Sequence, residues 1–164
     1  MLRPILIYPD PRLSQLAEPV TAFDETLNEL ADDLYATMRA APGVGITAPH
    51  IGVPLRLVIL DLADLGGRRD FVNPVILART ETLMRHTEGS VSMPGMTEEV
   101  ERPDSVRIRY QDLQGVTHEE ELKGFAAICM QHEIDQLDGI FWIRRLSKLK
   151  RDRLQRKWEK SKRA

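Results

Sequence analysis

The sequence predicts an α+β fold in a single domain covering residues 1–164, and three observations carry that prediction. Short apolar runs with alternating polar residues gather in the first three quarters of the chain. One strongly apolar helical stretch comes late, and a very basic helical segment follows it. Strands grouped together with helices outside them make an α+β pattern rather than βαβ alternation. No internal repeat, low-complexity tract or interdomain linker interrupts the chain.

Taken in order, Pro9-Asp10-Pro11-Arg12-Leu13 forms a turn and a short helical entry. Asp24 is a good N-cap, and Leu27, Leu30, Leu34 and Met38 recur at helical spacing, so 24–41 reads as an amphipathic helix ended by Pro42-Gly43. Residues 43–54 read as a Gly- and Pro-rich loop. The runs 55–60 and 71–77 look like strands around a Gly66-Gly67 turn, and 99–101 and 106–110 read as extended. Gln114-Gly115 predicts a hairpin turn into a strand over 116–122. Gly124 opens an apolar helix to about Leu137, stopped by Asp138-Gly139. A short extended piece at 140–143 and the basic helix complete the chain, with Phe141 and Trp142 expected as core anchors.

A chain of 164 residues can bury a core without disulfides, and its one cysteine, Cys129, cannot form an internal one. That fits a reducing, cytoplasmic setting. The apolar run near the N-terminus is broken by proline and too short for a signal peptide, and no stretch approaches the ~20 apolar residues of a membrane span. Neither a membrane nor DNA is expected as a partner. The net charge of −2 hides an asymmetry: residues 144–164 hold eleven Lys/Arg and two Asp/Glu, while the rest of the chain carries a net −11. A basic tail on an acidic body points to a polyanion such as ribosomal RNA. The same segment also reads as an amphipathic helix with Leu146, Leu149, Leu154 and Trp158 packed inward.

Three segments carry chemistry. Gln131-His132-Glu133-Ile134-Asp135-Gln136 is a metal-hydrolase helix signature, HExxH, with Gln136 in place of its second histidine. Gly43-Val44-Gly45-Ile46-Thr47-Ala48-Pro49-His50 and Glu88-Gly89-Ser90-Val91-Ser92-Met93-Pro94 are short loops in which glycine permits close backbone approach to a ligand.

In order and spacing these three segments resemble the motifs GxGxAAPQ, EGCLS and QHExDHLxG of the peptide deformylases. The likeness extends to the opening, Tyr8 to Leu13 with Ala17-Glu18-Pro19-Val20, and to the tail around Arg145-Leu146-Ser147. It implies the deformylase fold, with a central helix carrying His132 and Glu133. It also implies a metal-dependent amide hydrolase that removes the formyl group from N-terminal formylmethionine of nascent chains. Glu133 would be the general acid/base, and Gly45, His50 and the Val91 N–H would face the substrate. The family's three metal ligands fall at Ser90, His132 and Gln136, of which only His132 matches.

A serine hydroxyl and a carboxamide are far poorer ligands than thiolate and imidazole, so no tightly held cofactor is expected; any divalent Fe or Zn would bind weakly. The expected protein therefore has weak or no deformylase activity. It would be a ribosome-associated or peptide-end-binding protein, with nascent-peptide N-termini and the ribosome as its partners. Two rescues are open: a rearranged metal site of His50, His132 and Glu88, and a Ser90–His132 nucleophile–base pair. Cys129 reads as a core thiol, and Val44, Phe125 and Ile128 as core or as walls of a methionine pocket.

Overall fold

The computed structural model describes residues 1–163 and has the α+β architecture. After a 3₁₀ turn at Pro11–Ser14 comes α1 (Glu25–Ala40). The strands are β1 (Gly45–Thr47), β2 (Leu57–Leu62), β3 (Gly67–Arg79), β4 (Leu83–Gly89), β5 (Thr97–Pro103), β6 (Ser105–Gln111) and β7 (Thr117–Lys123). α2 (Gly124–Leu137), a 3₁₀ turn at Trp142–Arg145 and α3 (Lys148–Lys162) follow. Five strands form one antiparallel sheet in the order β1-β2-β3-β6-β7, and β4 pairs with β5 in a separate hairpin.

α1 starts where the sequence says it should. The Asp24 carboxylate accepts from the Leu27 N–H at 3.1 Å, satisfying a donor that the first helical turn leaves without a partner. Leu27, Leu30, Ala31, Leu34 and Met38 form its buried stripe, packed with Ile46, Leu57 and Ile59 of the main sheet. The other side of the molecule is closed by α2, whose Ala126, Ala127, Met130, Ile134 and Leu137 pack with Val58, Leu60, Phe71 and Ile108. Because α2 is covered on nearly every side, even its polar Gln131, Glu133, Asp135 and Gln136 are buried. A helix so enclosed is a place where each polar side chain needs a named partner.

The third apolar cluster joins the β4–β5 region to the C-terminal elements: Met93, Met96 and Val100 meet Phe141, Trp142, Leu146, Leu154 and Trp158. Phe141 and Trp142 are buried, as expected of core anchors. Four details depart from the sequence reading. The loop assigned to 43–54 contains β1 and a 3₁₀ turn at Ala48–Ile51, and the loop assigned to 88–94 begins inside β4. The piece at 140–143 runs into a 3₁₀ turn rather than a strand. Leu149 is 72% exposed, because only Leu154 and Trp158 of α3 lie on the face that meets the body.

Candidate active site

The three sequence segments meet at one cleft of about 390 Å³. Its walls include Val44 and Gly45 from β1 and its approach, Glu88 and Ser90 from the end of β4, and Phe125, Ile128, Cys129, His132 and Glu133 from α2. His50 and Val91 also line it. Consecutive turns of α2 place Phe125, Ile128 or Cys129, and His132 on one face, since residues three and four apart are neighbours on a helix. The cleft wall is therefore mostly apolar and its floor is polar.

Gly45 has a physical reason to be glycine. A Cβ there would lie 2.8 Å from Glu133 Oε2 and 3.0 Å from Leu60 Cδ2. β1 passes so close to the Glu133 carboxylate that no larger residue fits without displacing it.

The floor is ordered by a chain of buried ion pairs. Glu88 accepts from Arg102 at 2.6 and 2.9 Å and faces His132 Nδ1 at 2.8 Å. Arg102 continues to Asp135 at 2.8 Å, and Arg145 closes on the same carboxylate at 2.7 and 2.9 Å. Arg102 and Glu88 are each only 5% exposed, so a lone charge at either position would be untenable. Burial works against ionising Glu88, but the bonds from His132 and Arg102 outweigh it and hold the carboxyl down at about 2. For His132, burial opposes the imidazolium. The bond to Glu88 and the charges of Glu133 and Glu88 prevail and raise its proton affinity.

Glu133 stands outside this network. Burial pushes its carboxyl up to about 7, with the charge of His132 opposing. Its Oε1 is buried with no hydrogen-bond partner among the described residues, and His132 Nε2 is 3.7 Å away. His50 is fully buried, and that burial together with the charge of His132 pushes it down to about 3. The Thr47 backbone N–H donates to His50 Nδ1 at 2.9 Å. A backbone N–H can only donate, so Nδ1 is the acceptor and the neutral ring carries its proton on Nε2. That Nε2 is buried and has no hydrogen-bond partner among the described residues.

The other family ligand positions behave differently. Gln136 turns its carboxamide away, donating from Nε2 to the Leu13 carbonyl at 2.7 Å, and it does not line the cleft. Ser90 lines the cleft, but its hydroxyl accepts from the Ser92 N–H at 3.0 Å. Among the described residues, no group of three or more His, Cys, Asp or Glu is placed to hold a metal ion. The set of His50, His132 and Glu88 is accordingly not grouped around a metal position among the described residues; His50 Nδ1 accepts from Thr47 and Glu88 accepts from Arg102. No hydrogen bond joins Ser90 to His132, whose Nδ1 is committed to Glu88, so the nucleophile–base pair is not assembled either. Cys129 is only partly buried: it packs against the core and also borders the cleft, where burial and the charges of Glu133 and Glu88 push its thiol up.

Sequence reasoning missed Arg102, Asp135, Arg145 and Thr47. Arg102 sits in a charged run, Glu98-Glu99-Val100-Glu101-Arg102, that looks solvated until β5 is seen packed against α2. A strand alternation placing Val100 and Arg102 on the same face was the available signal.

A helix-borne histidine–glutamate pair at the floor of a cleft, beside an antiparallel sheet and a separate hairpin, is an α+β hydrolase-like scaffold that keeps part of the HExxH helix signature. Comparison with known proteins gives the family. The polypeptide deformylase family model matches residues 2–152. A peptide deformylase-like protein of Bradyrhizobium diazoefficiens is 58% identical over 97% of this chain and 94% of its own. A peptide deformylase of the same organism is 46% identical over 98% and 96%. The crystal structure of a peptide deformylase from Legionella pneumophila superimposes with a TM-score of 0.92 at 40% identity, covering 99% of this chain and 96% of that one. The chain belongs to the peptide deformylase family.

Proposed function

We propose that this protein keeps the peptide-end cleft of the deformylases and binds the N-termini of peptides, with little or no metal-dependent hydrolysis. The observation that carries the reading is the diversion of Gln136 to the Leu13 carbonyl. At the position of the family's second histidine ligand, the side chain that could coordinate instead ties α2 to the N-terminal segment. With a neutral hydroxyl at Ser90, His132 is the one remaining good ligand of the three, and the residues present do not fit a transition-metal site. Without a metal to lower the pKa of water from about 15.7, Glu133 has no activated nucleophile to deprotonate.

The recognition parts of the cleft persist. Val44, Phe125 and Ile128 supply an apolar wall for a first side chain, His50 Nε2–H is a fixed donor, and Glu133 Oε1 awaits a partner. That Bradyrhizobium diazoefficiens has a protein named deformylase-like beside one named deformylase fits a division of labour in which the former need not catalyse.

Hydrolysis of formyl-Met-Ala by wild type and by Glu133→Ala tests the reading. Equal rates at background level are expected. A wild-type rate typical of the family that falls in Glu133→Ala would restore the alternative, an active amide hydrolase.

The ribosome reading belongs to α3. Its Lys148, Arg153, Lys157, Lys160 and Lys162 are exposed while Leu154 and Trp158 hold the helix to the body, giving a cationic outer face. Cosedimentation with ribosomes should weaken with salt and be lost on deleting residues 147–164. Binding that survives the deletion rejects this role.

A further inference from the structure

We propose that α3 and the cleft are coupled: a polyanion seated on the cationic face of α3 weakens peptide binding in the cleft, with Glu98 as the positioning residue between them. The proposal rests on the two readings above, a peptide end in the cleft and a polyanion on α3, and adds the link that joins them.

One wall of the cleft is drawn from the segment Ser90 to Thr97. Its Met93 and Met96 line the cleft and also belong to the apolar cluster that seats Leu154 and Trp158 of α3. Polar contacts tie α3 to this wall near both of its ends. Near the start, the Tyr8 N–H donates to the Ser92 carbonyl at 2.8 Å. Tyr8 in turn accepts from Gln155 Nε2 at 2.8 Å and from Trp158 Nε1 at 3.3 Å. At the far end, Glu98 follows Thr97, and Arg153 and Lys150 of α3 stand 3.5 and 3.9 Å from its carboxylate.

The two ties differ in what a polyanion can take. Tyr8 keeps its neutral donors, Gln155 and Trp158, even when Lys162, 3.4 Å from its carbonyl, is drawn away. Glu98 has no such reserve on α3. The side chains of Arg153 and Lys150 are 62% and 39% exposed, open to the phosphates of a bound polyanion. Their charge also has work to do in the hairpin. Glu98 is directly opposite Glu88 in the β4–β5 pair, and like charges so placed destabilise a strand pair. Phosphates that recruit Arg153 and Lys150 leave Glu98 facing Glu88 without that compensation. The disturbance falls where β4 delivers Glu88 to the cleft floor and β5 begins at the wall. A wall less firmly held before binding grips its peptide less tightly. By linkage, a bound peptide weakens polyanion binding by the same factor.

The test is calorimetric titration of the full chain with Met-Ala-Ser and formyl-Met-Ala-Ser at low ionic strength, with and without saturating polyuridylic acid. Peptide affinity should fall by about three- to tenfold with the RNA present, the size of two partly exposed ion pairs. In Glu98→Gln, which keeps the shape and removes the charge, the response to RNA should disappear. Peptide binding unchanged or tightened by RNA overturns the coupling and leaves both parent readings standing. A loss of equal size in Glu98→Gln overturns the route through Glu98 and shows the RNA covering the cleft itself. Failure of both peptides to bind without RNA removes the peptide-end reading, and failure of the RNA to bind removes the ribosome reading; either result takes this proposal with it.

Discussion

Glu133 offers the sharpest perturbation. Its carboxyl is held at about 7 in the folded protein against an ordinary 4.5. At about 1.4 kcal/mol per pKa unit, ionised Glu133 costs the fold roughly 3 kcal/mol. The sign follows from the order of the two values. With the folded value above the unfolded one, the folded chain binds more protons between them. This group therefore lowers stability as pH rises from about 4.5 to about 7, and no further above that. Glutamine fills the same volume and cannot ionise. Near pH 8, Glu133→Gln should raise the unfolding free energy by about 1–3 kcal/mol, the lower end allowing for lost attraction to His132. At roughly 2–4 °C per kcal/mol for a chain of this length, Tm should rise by about 2–12 °C. Near pH 4.5 the difference should shrink toward zero. Differential scanning calorimetry of both proteins at the two pH values decides the matter. A lower Tm for the variant near pH 8, or an equal offset at both pH values, would refute the account of Glu133 as a buried carboxylate lacking a partner.

Three further outcomes follow from the same floor. Arg102→Leu leaves Glu88 buried without its guanidinium and should cost about 3–5 kcal/mol in urea unfolding; an unchanged midpoint would show that the ion chain holds nothing. The folded value of Glu88, about 2 against an ordinary 4.5, means that its contribution is complete above about 4.5 and lost as pH falls toward 2. Tm should decline across that window, and Glu88→Gln should flatten the decline; a parallel decline in both proteins would contradict this. Ser90→Cys combined with Gln136→His restores the family's ligand set on an intact scaffold, so the double variant should take up one equivalent of zinc or iron. If it stays metal-free by mass spectrometry of the purified protein, Ser90 and Gln136 are not what keeps metal from the proposed metal-free cleft.

Much of the fold was legible because its signals are local. The Asp24 cap and the leucine spacing located α1 within a residue at each end, and Gly124 and Asp138-Gly139 bracketed α2. β4 escaped because Leu83–Gly89 lacks an apolar stripe: the buried position that betrays it is Glu88, a charge paired with a residue on the neighbouring strand. β1 escaped because three residues are too few to show a period. At the site, Gly45, His50, Ser90, Val91, His132 and Glu133 do share one cleft, while Gln136 donates to the Leu13 carbonyl and does not line it. Its partner is the Leu13 carbonyl, 123 residues away in sequence, so no reading of the helix alone could have found it.

The central claim is that the cleft has outlived its metal site. Metal content of protein purified anaerobically, followed through chelation, addresses it most directly. The account predicts well under one equivalent of iron, nickel or zinc per chain, and no change in Tm or peptide binding on adding chelator. One equivalent of metal per chain, removed by chelator together with formyl-Met-Ala hydrolysis, would contradict it.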